Sequence, residues 1–147
     1  MDEFSGNIAK KFLLQFPELA AHCGEVTNEY AVAFEAKIPS PASHTKRTLI
    51  LETFNEEITV YFDSYHAHFS EIDGTDPFEN ASAFMQKILS NQYAVVSYWR
   101  DEQWCGSAML AVTSLPLDNA DYPYANTIKI RSWLGDYDRV LQCTARD

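Results

Sequence analysis

The apolar positions fall first into a helical rhythm. Ile8, Phe12, Leu13, Phe16 and Leu19 recur at three- and four-residue steps, which predicts a helix over residues 7–21. Pro17 lies inside that run, and a proline there removes a backbone bond and clashes with the preceding turn. The run therefore reads as one helix that stops and a short one that restarts, closed at Gly24. Residues 27–38 take on the pattern of a first strand. Residues 39–44 form a loop, because Pro39 and Pro41 cannot both stay in a ladder. Residues 47–54 and 57–63 predict a hairpin around Asn55-Glu56. In its second strand Ile58, Val60 and Phe62 point one way while Thr59, Tyr61 and Asp63 point the other.

A second helix announces its own start. Asp76 sits where an N-cap is needed, Pro77 suits the first helical position, and Glu79 stands where a capping box places its acid. Phe78, Ala81, Met85, Ile88 and Leu89 then supply a core-facing stripe, and Asn91 can end the helix. Strands over 93–99 and 104–113 follow, joined by Arg100-Asp101-Glu102-Gln103, which would set Trp99 opposite Trp104. Residues 115–126 are loop, 127–133 a further strand and 140–143 a short last one. The fold class expected is α+β: an antiparallel sheet of five to six strands with two principal helices packed on it, in a single domain over residues 1–147.

Composition leaves that picture in place and narrows the function. Hydrophobic residues make up 46% of the chain and charged residues 22%, a mixture that folds. No apolar run is long enough to cross a membrane, and MDEFSGNIAKKFLLQF lacks the features of a secretion signal, so a cytoplasmic protein is expected. Cys23, Cys105 and Cys143 are odd in number and widely spaced, which reads as reduced thiols serving as small buried hydrophobes. The net charge of −10 argues against nucleic acid or an anionic membrane as partner. Between Thr48 and Gln86 there is no Lys or Arg, while Glu52, Glu56, Glu57, Asp63, Glu71, Asp73, Asp76 and Glu79 all fall there. Such a run is either a solvated face or a docking surface for a basic protein.

Catalytic signatures are sparse. There is no GxSxG and no glycine-rich phosphate loop, and Cys23 next to His22 on a helix would point about 100° away from it. If 63–68 is extended, His66 and His68 share one face and two imidazoles could meet one metal, with His44 or a carboxylate as a third ligand. The aromatic share of 14% gives another opening, since Trp, Tyr and Arg often anchor interfaces.

Taken together, EEITVYFDSYHAHF, the capped helix, YAVVSYWRDEQWCGS and IKIRSWLGDYDR resemble the small immunity proteins of bacterial polymorphic toxin systems, including contact-dependent inhibition. The similarity runs over residues 47–139 and is one of pattern. It implies a cytoplasmic, acidic, non-enzymatic protein without a cofactor that binds the toxic C-terminal domain of its cognate toxin, often a basic nuclease. No residue motif comes with the resemblance. Charge and aromatic content select the docking candidates: the acids Glu52, Glu56, Glu57, Asp63, Glu71 and Asp73, and the anchors Tyr61, Tyr65 and Trp104. Two other readings stand beside this one: a metal-dependent hydrolase or metal-binding protein using His66 and His68, and a small-ligand module with an aromatic pocket.

Overall fold

Asp2 starts the first helix earlier than the apolar stripe suggests. Its carboxylate accepts a hydrogen bond from the Ser5 N–H at 2.8 Å, satisfying one of the helix's free donors. The computed structural model describes residues 1–72 and 74–147, and in it helix α1 spans Glu3–Gln15. Ile8, Phe12 and Phe16 turn into the core, whereas Leu13 stays 39% exposed. Pro17 breaks the helix as expected, and a 3-10 turn over Pro17–His22 follows. The chain then passes directly into a strand at Cys23, so Gly24 lies in that strand instead of closing a helix.

The 27–38 segment divides. Asn28 accepts hydrogen bonds through its side chain from the Tyr30 and Ala31 N–H groups at 2.8 and 2.9 Å, which folds a turn between β1 (Cys23–Thr27) and β2 (Val32–Pro39). Strands β3 (Thr48–Phe54) and β4 (Glu57–Phe62) form the anticipated hairpin. Asn55 and Glu56 both have positive φ, 54° and 60°, the combination that matches strand twist in a two-residue turn. Strand β5 (Tyr65–Ser70) adds to β4, so the stretch containing His66 and His68 is extended. These five strands make one antiparallel sheet in the order β1-β2-β3-β4-β5.

Helix α2 (Pro77–Leu89) is capped by Asp76, which accepts from the Phe78 and Glu79 N–H groups, and buries Phe78, Ala81, Met85 and Ile88. Strands β6 (Tyr93–Arg100), β7 (Gln103–Ala111), β8 (Thr127–Ser132) and β9 (Arg139–Gln142) make a second antiparallel sheet, ordered β7-β6-β8-β9. Trp99 pairs with Trp104 across a tight turn at Asp101-Glu102, beside a bulge at Tyr98/Trp99. The α+β class stands. The strand count is corrected: among the described residues there are nine strands in two sheets rather than five or six in one. Seven of the nine correspond to the strand segments read from the sequence, one more than the sheet expected from them; the other two are β1, split off by the Asn28 turn, and β5.

Helix α1 rests on β2 and β3, and α2 on β4 and β5 with a contact to β6. Both cover the same face of the first sheet, where Leu49, Leu51, Ile58, Val60 and Phe62 are at most 1% exposed. At about 25 cal/mol per Å² of apolar surface, fully burying each such side chain stabilises the fold by about 1.5–3 kcal/mol. The same core takes in Val95 and Trp133 of the second sheet's region, with Phe62 edge-on to Trp133 at 5.8 Å. A smaller core lies on the second sheet's other face, built from Ala94, Val96, Ile128 and Ile130 and roofed by Leu115, Leu141 and Cys143. The cysteines are all free and all half-buried, so the expectation of buried thiols is corrected; burial of Cys23 still pushes its thiol pKa up. Among the described residues no helix is long and apolar enough to cross a membrane.

Candidate protein-docking face

The two helices leave the other face of the five-stranded sheet free. Strand alternation decides what stands there. Pairing sets Glu35 beside Glu52, Glu52 beside Thr59, and Thr59 beside His68, forming one cross-strand row. A second row runs Lys37, Ile50, Tyr61, His66, and a third, shorter one pairs Phe54 with Glu57 and Glu57 with Ser70. The result is a surface of carboxylates, rings and two imidazoles, in which Lys37 is the cation that strand pairing places on it.

Side chains on this face hold one another in place. Tyr61 donates its hydroxyl to Glu52 Oε1 at 2.8 Å; partial burial, then that bond, raise the phenol pKa. His68 Nδ1 lies 2.5 Å from Glu57 Oε1 and 3.0 Å from Thr59 Oγ1. The His66 ring stands 5.0 Å from that of His68 and 5.7 Å from Tyr61. These contacts fix the rotamers, so less freedom is lost when another surface docks.

The docking candidates are not all gathered here. Glu52, Glu57 and Tyr61 lie on the free face, with Glu56 at the β3–β4 turn and Glu71 just past β5. Both Glu56 and Glu71 line a cavity of about 320 Å³ at that end of the sheet. Asp63 sits at the opposite end of β4, in the β4–β5 turn at φ 53°. Tyr65 points to the covered side and stacks on Phe84 of α2 at 5.9 Å. Trp104 belongs to the second sheet, 54% exposed, with its Nε1–H donating to Ser107 Oγ at 2.9 Å. Asp73 lies outside the described residues.

His66 and His68 share a face as anticipated, but His44 lies in a turn beside Gly135, away from that strand. Among the described residues no group of three or more His, Cys, Asp or Glu is arranged to hold a metal ion. A cavity of about 450 Å³ opens against β9 with no aromatic side chain in its lining, whereas one of about 310 Å³ at the start of α1 is lined by Phe4, Tyr30 and Phe54. Reading the sequence alone missed Tyr30, Phe54 and Glu35. Tyr30 was absorbed into a continuous strand, although the Asn28 turn signal was present to expose it. No family model matches the chain, and no curated protein or solved structure matches it. The chain is thus defined by its fold: an α+β protein with two antiparallel sheets, one of which has a free face.

Proposed function

We propose that this protein is a binding module that docks a basic protein partner on the free face of the five-stranded sheet, and that its role is immunity: neutralising a toxin domain inside the cell that makes both. The observation that carries the reading is the make-up of that face. It sets Glu35, Glu52 and Glu57 around Tyr61, Ile50 and Phe54, with Lys37 as the cation among them. Aromatic anchors within a like-charged rim fit a surface that recruits an oppositely charged protein and then excludes water. The chain's net charge of −10 works in the same direction, drawing a basic partner in from a distance. Resemblance to the toxin-immunity proteins supplies the biological role, and the acid-rich stretch 48–86 supplies its chemistry.

Co-expression tests the role. The chain is produced together with a toxin domain that it captures by pull-down from its own organism, and host growth is followed. Restored growth, with a stoichiometric complex on gel filtration, is expected. The combined change Glu35→Gln, Glu52→Gln and Glu57→Gln should weaken the complex by tenfold or more at low salt and by much less at high salt, since screening removes exposed charge attraction. Persistent toxicity with no complex would overturn the proposal. So would a complex indifferent to both the substitutions and salt.

A further inference from the structure

Where α1 begins, the tips of two hairpins enclose a cavity of about 310 Å³. Tyr30 and Phe54 stand at it as an edge-to-face pair, ring centroids 6.5 Å apart, 81% and 48% exposed. Phe4 contributes a third ring, and Asp2, Glu3 and Glu56 contribute carboxylates, with no Lys, Arg or His in the lining. A neighbouring hollow of about 240 Å³ shares Asn28, Ala33 and Phe54 and brings Glu52 to the same end of the sheet.

Neither ring is placed there by the needs of the core. Tyr30 rides on a turn whose backbone is tied three ways: Asn28 N–H donates to the Ala31 carbonyl at 3.0 Å, and the Asn28 side chain accepts from Tyr30 and Ala31. The turn that presents the ring is thus already folded before anything packs on it. Glu56 occupies the second position of a turn that favours glycine, at φ 60°, and so sets a carboxylate at the rim where a smaller residue would fold more easily.

We infer that this cavity receives an arginine side chain of the basic partner, a site that rests on the docking function proposed above. A guanidinium is planar, stacks on ring faces, and forks to carboxylates with several donors, which a lysine ammonium cannot do in the same way. Tyr30 and Phe54 supply the rings; Glu3 and Glu56 supply the acceptors. Asp2 already spends one oxygen on Ser5 and contributes charge through the other. The pocket lies beside the row holding Phe54 and Glu57, so an arginine seated in it continues the contact made on the free face.

The test uses the whole chain and a defined probe: acetyl-Gly-Arg-Gly-amide, with the citrulline peptide as its neutral isostere, followed by backbone-amide NMR shifts. Saturable shifts centred on Tyr30, Ala31 and the 54–56 turn are expected, with citrulline weaker by about tenfold. Tyr30→Ala and Glu56→Gln should each weaken arginine binding several-fold while the remaining spectrum reports an intact fold, and Trp104→Ala should leave it unchanged. Equal binding of citrulline, or shifts scattered over the acidic surface without a centre at Tyr30, would overturn the assignment. The two readings fail separately. A toxin complex that forms normally with Tyr30→Ala and Glu56→Gln removes the arginine pocket alone, whereas no complex at all removes the docking function.

Discussion

Arg47 joins the two sheets, and the strength of that joint can be worked out from its surroundings. The residue precedes β3. Its Nη1 donates to the Ser132 carbonyl at 2.5 Å and to Asp138 Oδ1 at 2.8 Å, while Nη2 reaches Asp138 Oδ2. Asp138 Oδ1 also accepts from the Ser132 N–H at 3.0 Å. Side-chain exposures are 12% for Arg47 and 29% for Asp138. A fully exposed pair would be worth about 0–1 kcal/mol, and breaking a fully buried one costs about 3–5 kcal/mol. The fork geometry and low exposure place this pair nearer the buried limit, discounted for the solvent that reaches Asp138. Arg47→Met should therefore destabilise the fold by about 2–3 kcal/mol.

Urea unfolding of wild type, Arg47→Met, Asp138→Asn and the double variant measures this directly. With a slope of about 1–3 kcal/mol/M for a small domain, the single Arg47 change should lower the midpoint by about 0.7–3 M. The coupling energy from the cycle should be about 1.5–3 kcal/mol, because each single change leaves a partner without its counter-charge. A coupling below about 0.5 kcal/mol would refute the reasoning, as it would mean the pair behaves like a surface ion pair despite its burial.

Three further outcomes follow from the same structure. Gly135→Ala should cost about 1–2 kcal/mol in the same unfolding assay, since φ is 81° and an added Cβ would meet Thr45 Cγ2 at 3.0 Å. Asp2→Ala should cost about 0.5–1 kcal/mol at neutral pH by removing the cap of α1. The Ser5 backbone hydrogen bond lowers the Asp2 pKa from its ordinary 3.8, so the difference between wild type and variant is fully present above 3.8 and disappears as pH falls through the lowered value. Trp104→Phe should remove most of the fluorescence that acrylamide quenches, because Trp104 is 54% exposed, Trp99 is half-buried with Lys129 over its ring, and Trp133 is only 4% exposed; unchanged quenching would mean that Trp104 is shielded.

Local chemistry made some elements legible in the sequence and left others hidden. Helix α2 could be read because Asp76, Pro77 and the apolar stripe all agree, and agreement between cap and pattern is what specifies a helix. The β3–β4 hairpin could be read because a polar pair divides two alternating runs, and the β6–β7 hairpin because four polar residues divide two apolar runs, although Arg100 pairs with Gln103 and only Asp101-Glu102 remain in the turn. The start of α1 is hidden because Ser5 and Gly6 interrupt the apolar stripe, so the Asp2 cap stands apart from the run it begins. β1 was hidden too, being a short edge strand whose residues are mostly exposed and carry no alternation to detect. Of the docking candidates, which charge and aromatic content select, Glu52, Glu57 and Tyr61 share the free face because alternation along β3 and β4 puts them there. Tyr65 did not, since its face depends on how the β4–β5 turn sets the register, and a two-residue turn at Asp63-Ser64 puts it opposite Phe62 on the covered side.

That register has a consequence for how binding and stability are divided along a single strand. In β4, Ile58, Val60 and Phe62 are essentially inaccessible and hold the helices, while Glu57 and Tyr61 alternate with them on the other face. Removing a buried side chain such as Phe62 leaves a cavity and costs about 3–5 kcal/mol. Tyr61→Phe removes only a hydroxyl bonded to Glu52 at the surface, a loss of about 0.5–1.5 kcal/mol. A protein whose task is to match another protein's surface benefits from this separation, because the contact residues can change without touching those that fold the chain. Substitutions among Glu57, Tyr61 and Glu52 should therefore leave the chain folded, while those at Ile58, Val60 and Phe62 should not.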